Sequence, residues 1–168
     1  ITHRKRAEER QILAGAVFEA ALEAIVVTDT QWRIVAVNPA FSVLTGYSEA
    51  EIIGHYPGFL LQAEYLSGIN YRAMLRTLSK QGTWRGEIQN RRRNGEHYIV
   101  LTTLTQVRDQ VGQLTHYVGT ASDITRQKET EQRIKRLAYY DTLTHLPNRT
   151  LLTQRAEMAI ALAARRRE

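Results

Sequence analysis

Residues 83–122 constrain this chain more tightly than any other stretch. Three segments with period-two patterning, 83–92, 96–108 and 113–122, follow one another with only short breaks. Asn94-Gly95 joins the first pair and the run Asp109 to Gly112 joins the second; such residues tolerate the positive φ that tight hairpins need. Three strands in a meander leave one apolar face and two edges to cover. The upstream residues supply both. Two β-branched runs, 24–28 and 33–37, surround a turn at Asp29, Thr30, Gln31 and Trp32 and predict another hairpin. Asn38 before Pro39 reads as a helix opening, with the cap at Asn38 and proline at the first helical position. Short helices are predicted at 39–45 and 48–53, punctuated by Gly46 and Gly54. A longer one, 71–80, puts Met74, Leu75 and Leu78 on one stripe before Gly82 ends it. The expected fold class is α+β: a five-stranded antiparallel sheet with short helices packed on one face, flanked by N- and C-terminal linker helices.

Charge separates this central part from its flanks. The net charge of +6 comes from 23 basic and 17 acidic residues, yet residues 17–124 carry 9 basic against 10 acidic. The folded region therefore lacks the basic face a nucleic-acid binder needs, and no nucleic-acid partner is expected. The flanks resemble each other. Residues 1–14 align without gaps on 124–137, with identities at Ile1/Ile124, Thr2/Thr125, Lys5/Lys128, Glu8/Glu131 and Arg10/Arg133, a spacing suited to tandem modules joined by similar helices. In the second helix Ile134, Leu137 and Ala138 form an apolar seam too narrow for a globular core and suited to a partner helix, so the expected partner is a second copy of the chain. No apolar run is long enough to span a membrane, and the first residues, with Arg4, Lys5 and Arg6 followed by Glu8 and Glu9, read as a cut through a longer polypeptide. The expected location is the cytoplasm, with any membrane anchor upstream in the parent.

Taken together, VVTDTQWRIVAVNPAFSVLTGYSEAEIIGHYP, GTWRGEIQNRRRNGEHY and HYVGTASDIT, in this order, resemble a PAS sensor domain over residues 17–125. Residues 137–167 resemble the opening of a GGDEF, or diguanylate cyclase, domain, whose opening motif stands here as Asp141 to Arg149. The resemblance implies four segments: a linker helix at 1–16 from an upstream module, the PAS domain at 17–125, a signalling helix at 126–140, and a truncated cyclase start at 141–168. It implies a regulatory sensory and dimerisation module that controls cyclic di-GMP synthesis. This segment itself carries no catalytic residues, because the signature and metal-binding strands of such a cyclase do not occur in it. Asn148 and Glu157 fall where that family recognises the guanine of GTP, and GTP is expected to bind only through a complete cyclase domain. The alternatives are a flavin-binding redox or light sensor and a ligand-free dimerisation spacer.

Candidate sites follow from parity and residue type. In 83–92, Trp84, Gly86, Ile88 and Asn90 share one face, which is the inward one. With Met74 from the preceding helix, Trp84, Ile88 and Asn90 form the expected ligand pocket for an unidentified small molecule, in which a planar ring could lie with its polar edge on Asn90. Some flavin-binding PAS domains resemble this Trp and Asn arrangement, so flavin stays open as a cofactor. A flavin mechanism through a cysteinyl adduct is excluded, because the chain has no Cys. Haem is disfavoured, since helix 71–80 holds no His and His55 falls in a loop, and no metal site is expected. Asp123 and Thr125 match the family's Asp-x-Thr junction between the last strand and the output helix. Arg91, Arg92 and Arg93 read as a solvated turn.

Overall fold

The computed structural model describes residues 2–60 and 69–165. The chain divides into two compact units, residues 1–124 and 125–168.

The first unit opens with helix α1 (Thr2–Ala20), which runs past residue 16, where the linker was expected to end. Then come β1 (Ala24–Asp29), β2 (Ile34–Val37), α2 (Pro39–Thr45), α3 (Glu49–Ile52) and a 3-10 turn at Pro57–Leu60. Helix α4 (Ile69–Gln81) leads into the meander β3 (Thr83–Arg91), β4 (His97–Arg108) and β5 (Leu114–Asp123). All five strands form one antiparallel sheet in the order β2-β1-β5-β4-β3. The first hairpin thus docks against the last strand, and that long-range pairing closes the fold.

Side-chain chemistry explains the local structure. In both β1–β2 and β4–β5 turns an aspartate caps the bend. Asp29 Oδ1 accepts from the N–H groups of Gln31 (2.8 Å) and Arg33 (2.9 Å), and Asp109 Oδ1 accepts from those of Val111 (3.0 Å) and Gln113 (2.8 Å). Three residues after each aspartate the backbone turns left-handed. The second turn puts Gly112 there (φ 82°), but the first puts Trp32 (φ 62°), a conformation costing a side-chain-bearing residue roughly 1–2 kcal/mol. Asn38 does more than cap α2. Its Oδ1 accepts from Phe41 N–H (3.0 Å) and Ile25 N–H (2.8 Å), while its amide donates to the Glu23 carbonyl (2.9 Å), so one buried side chain holds the start of β1 to the start of α2.

Alternation along the strands sets the core. One cluster joins Ala24, Ile34, Val37, Phe41, Ile52 and Leu60; the other joins Ile88, Tyr98 and Val100. In β3 the even-numbered residues from Trp84 to Asn90 face inward and the odd ones outward.

The second unit has α5 (Thr125–Tyr139) and α6 (Arg149–Arg165). Its connecting turn is tied by Asp141, whose Oδ1 accepts from Thr144 N–H (2.8 Å), Leu143 N–H (3.1 Å) and the Thr144 hydroxyl (2.9 Å). Asn148 Oδ1 caps α6 through Leu151 N–H (3.1 Å), and its amide donates to the Ala138 carbonyl (2.8 Å). Helix α5 buries none of its residues. No helix among the described residues is long and apolar enough to cross a membrane.

Candidate functional site

A cavity of about 110 Å³ lies between the inner face of the sheet and the helices. Phe41 and Leu60 of the first core cluster and Ile88 of the second contribute to its wall, and α4 adds Met74. Its floor is β5 at Gly119. A Cβ there would lie 3.0 Å from Val26 Cγ1 and 3.1 Å from Leu104 Cδ2, so a bare backbone keeps the space open. Trp32 and Tyr117 stack in the wall with ring centroids 4.0 Å apart and planes 11° apart, which holds the indole in its left-handed position. Tyr56 and Tyr71 also line the cavity, hydroxyl to hydroxyl. Burial and the Tyr56 contact push the Tyr71 phenol well above its usual range, so it stays protonated.

Of the residues predicted for the pocket, Ile88, Asn90 and Met74 line this cavity. Trp84 does not, and that expectation is corrected. Its ring lies across Gly86, where a Cβ would come within 2.3 Å of Cζ2, and it packs on the Ile88, Tyr98 and Val100 cluster. Parity placed Trp84 on the correct face, but glycine two residues on lets the indole lie flat instead of entering the cavity.

Among the described residues three buried side-chain atoms have no hydrogen-bond partner: Thr28 Oγ1, Asn90 Oδ1 and Tyr98 OH. Thr28 and Asn90 line the cavity; Tyr98 stands across from Asn90 in the β3–β4 ladder. Burial raises the Tyr98 phenol, with the Asn90 amide and the Arg92 guanidinium opposing.

Arg92 connects Tyr98, the residue across from Asn90, to the end of the sheet, and the reading of Arg91 to Arg93 as a solvated turn is overturned for Arg92 alone, since Arg91 and Arg93 are exposed. The Arg92 guanidinium lies 4.1 Å from the Tyr98 ring centroid, pairs with Asp123 at 2.5 Å and with Glu96 at 3.3 Å, and donates to the Leu44 carbonyl. Its side chain is only 19% exposed. Arg93 pairs with Glu51 at 2.5 Å, tying the β3–β4 hairpin to α3. Asp123, predicted as the signal junction, thus holds Arg92 at the last position of β5; Thr125 is the first residue of α5. Parity could have found Arg92, because it continues the inward row of Trp84 to Asn90, and an inward-facing charge requires partners.

In the second unit Ile134 and Leu137 are 60% and 57% exposed, and Ala138 is exposed with them. Asn148 is engaged with backbone at both ends of its amide, while Glu157 is exposed on α6. No group of three or more His, Asp or Glu among the described residues is placed to hold a metal ion.

Residues 22–126 match the family described as PAS domain. This chain belongs to the PAS domain family. The nitrogen fixation regulatory protein of Klebsiella oxytoca is 37% identical over 117 residues, 70% of this chain and 23% of that protein. A solved PAS domain from Colwellia psychrerythraea superposes with a TM-score of 0.65 at 26% identity, covering 69% of this chain and 98% of that one. An RNA-binding light-oxygen-voltage receptor has the same TM-score at 34% identity, over 77% of this chain and 37% of that one. The chain spans under a quarter of the length of its first curated relative. The PAS unit is a sensory and regulatory domain and not a catalytic one.

Proposed function

We propose that this chain is the sensory module of a signalling protein, in which a small molecule in the PAS cavity biases the sheet and the change passes through Asp123 and Thr125 to helix α5 and a C-terminal diguanylate cyclase. The observation that carries this reading is Arg92. It touches the ring of Tyr98, across from the lining residue Asn90, and also holds Asp123, so a displacement of Asn90 that moves Tyr98 has an electrostatic route to the last residue of β5. The Asp141 to Arg149 motif supports the cyclase as output, and the exposed seam of Ile134, Leu137 and Ala138 supports a parallel homodimer. Asn148 and Glu157 would serve GTP only within a complete cyclase domain.

The test uses the parent polypeptide and measures cyclic di-GMP formed from GTP. Arg92→Gln and Asp123→Asn are expected to shift the basal rate in the same direction, each as much as the pair together. No synthesis at all sinks the cyclase reading, and variants indistinguishable from the parent sink the route. Sedimentation of Ile134→Glu and Leu137→Glu tests the homodimer; a monomer before substitution, or a dimer indifferent to both, removes it.

A second reading, flavin sensing, is favoured by the light-oxygen-voltage receptor at 34% identity and by Asn90 in the wall. The polar edge suits a flavin, but the space does not. About 110 Å³ is small for a three-ring isoalloxazine, since pockets that hold drug-sized ligands measure about 300–1,000 Å³.

A further inference from the structure

We propose that the PAS cavity is a site for a small neutral aromatic ligand, of one ring or two fused rings, that brings an N–H or O–H donor to Asn90 Oδ1, with the Thr28 hydroxyl as its second polar anchor. The proposal rests on the sensory reading above and gives its ligand a chemical class.

Four features of the cavity converge on that class. Asn90 and Thr28 are 9% and 3% exposed, both line the cavity, and among the described residues Asn90 Oδ1 and Thr28 Oγ1 have no partner. A buried acceptor left unpaired is costly, so a bound donor relieves a penalty, in competition with the Tyr98 hydroxyl that stands across from Asn90. Because the free atom of Asn90 is a carbonyl oxygen, the ligand must donate to it; a hydroxyl such as Thr28 serves either a donor or an acceptor.

Size sets the second limit. The space is about 110 Å³, on the scale of the engineered apolar cavity of about 150 Å³ that takes up benzene. Charge sets the third. The described lining residues include no Lys, Arg, His, Asp or Glu, so an ionised ligand would give up hydration with nothing of opposite sign to replace it. Aromatic lining sets the fourth, since the stacked Trp32 and Tyr117 rings both border the cavity, and Trp32 holds a backbone position that its sister turn gives to Gly112. Strain kept at a cavity wall is what a binding site retains and a purely structural turn discards.

The experiment titrates the purified full chain with indole, with indene, which has nearly the same outline and no N–H, with benzoate, and with riboflavin, following amide resonances of Gly119 and Asn90. Indole is expected to shift both resonances and to bind about tenfold more tightly than indene. Benzoate is expected to leave them unmoved, and riboflavin likewise. In Asn90→Leu the preference of indole over indene should disappear. Thr28→Val, close to isosteric, provides the same comparison should Asn90→Leu not fold, and is expected to weaken indole more than indene. Equal affinity for indole and indene overturns the donor assignment. Binding of benzoate overturns neutrality, and binding of riboflavin, or flavin released from the purified chain, overturns the size limit in favour of the flavin reading. No response to any probe sinks the ligand class. That failure is separable from failure of the sensory reading, because the Arg92 and Asp123 variants test the latter without any ligand.

Discussion

The two units of this chain place their apolar residues in opposite ways. In the PAS unit, side chains from strands far apart in sequence meet in the interior: β1 pairs with β5, and Ile34 and Val100 are both fully covered. In the C-terminal unit, α5 buries nothing, and Leu152, Met158, Ile160 and Leu162 of α6 stand more than half exposed. The sheet and its packed helices bury their own apolar core, while α5 and α6, like Ile12, Leu13 and Val17 of α1, carry apolar surface without a cover among the described residues.

The largest test of this contrast is a pair of truncations. Ile34→Ala should destabilise the PAS unit by about 2–5 kcal/mol, the range for emptying a well-packed site. Leu162→Ala should change stability by no more than about 0.5 kcal/mol. Chemical denaturation followed by a reporter in each unit measures both, and equal costs would erase the distinction.

Next in size is Asn38→Ala, expected to cost about 2–4 kcal/mol, because it removes a helix cap and also strands the buried Ile25 N–H and the Glu23 carbonyl. By contrast, Asn148→Ala removes a similar cap from the exposed helix α6 and should stay near the lower end of capping losses, about 0.5 kcal/mol. If the two asparagines cost the same, burial is not what separates the units.

These two residues also show what could be read before the structure. The five strands, the Asn38 cap and the turn glycines were legible because period-two alternation and positive-φ residues are local signals. Depth was not. Alternation assigns Trp84 to the inward face but not to the cavity, since that depends on how an indole settles over Gly86. Arg92 was missed for a different reason: Asp123, its partner, is 31 residues away and meets it only once β3, β4 and β5 have assembled. The orphaned atoms of Thr28 and Asn90 were equally invisible, because lack of a partner is a property of the packed interior.

A double-mutant cycle on Arg92 and Asp123 is the third test, using Arg92→Gln and Asp123→Asn. The two side chains are 19% and 32% exposed, so water screens the pair and a coupling near 1 kcal/mol is expected, not the several kcal/mol of a dry ion pair. Zero coupling would leave Arg92 as packing for Tyr98 alone and remove the junction's link to the cavity wall.

The smallest effect expected is a pH response at two carboxylates, one in each unit. Ser48 N–H and hydroxyl contacts hold Glu51 below its ordinary pKa, helped by the Arg93 charge; Thr144 N–H and hydroxyl contacts, with the Leu143 N–H, do the same for Asp141. A carboxylate whose pKa is lower in the folded chain adds stability above its unfolded pKa, and that contribution is lost as pH falls through the folded value. Nothing should therefore change between neutral pH and the top of the ordinary carboxylate range. Below it, the turn around Asp141 should loosen first and alone, because it supports only an exposed helix pair, while α3 remains pinned by buried Ile52 after Glu51 is protonated. Amide exchange at Thr144 and at Ile53 across an acid titration reports the two sites. Asp141→Asn should flatten the Thr144 response and leave Ile53 unchanged. Both amides losing protection in one coincident transition would mean that acid unfolds the chain as a whole, and the independence of the two units would fail.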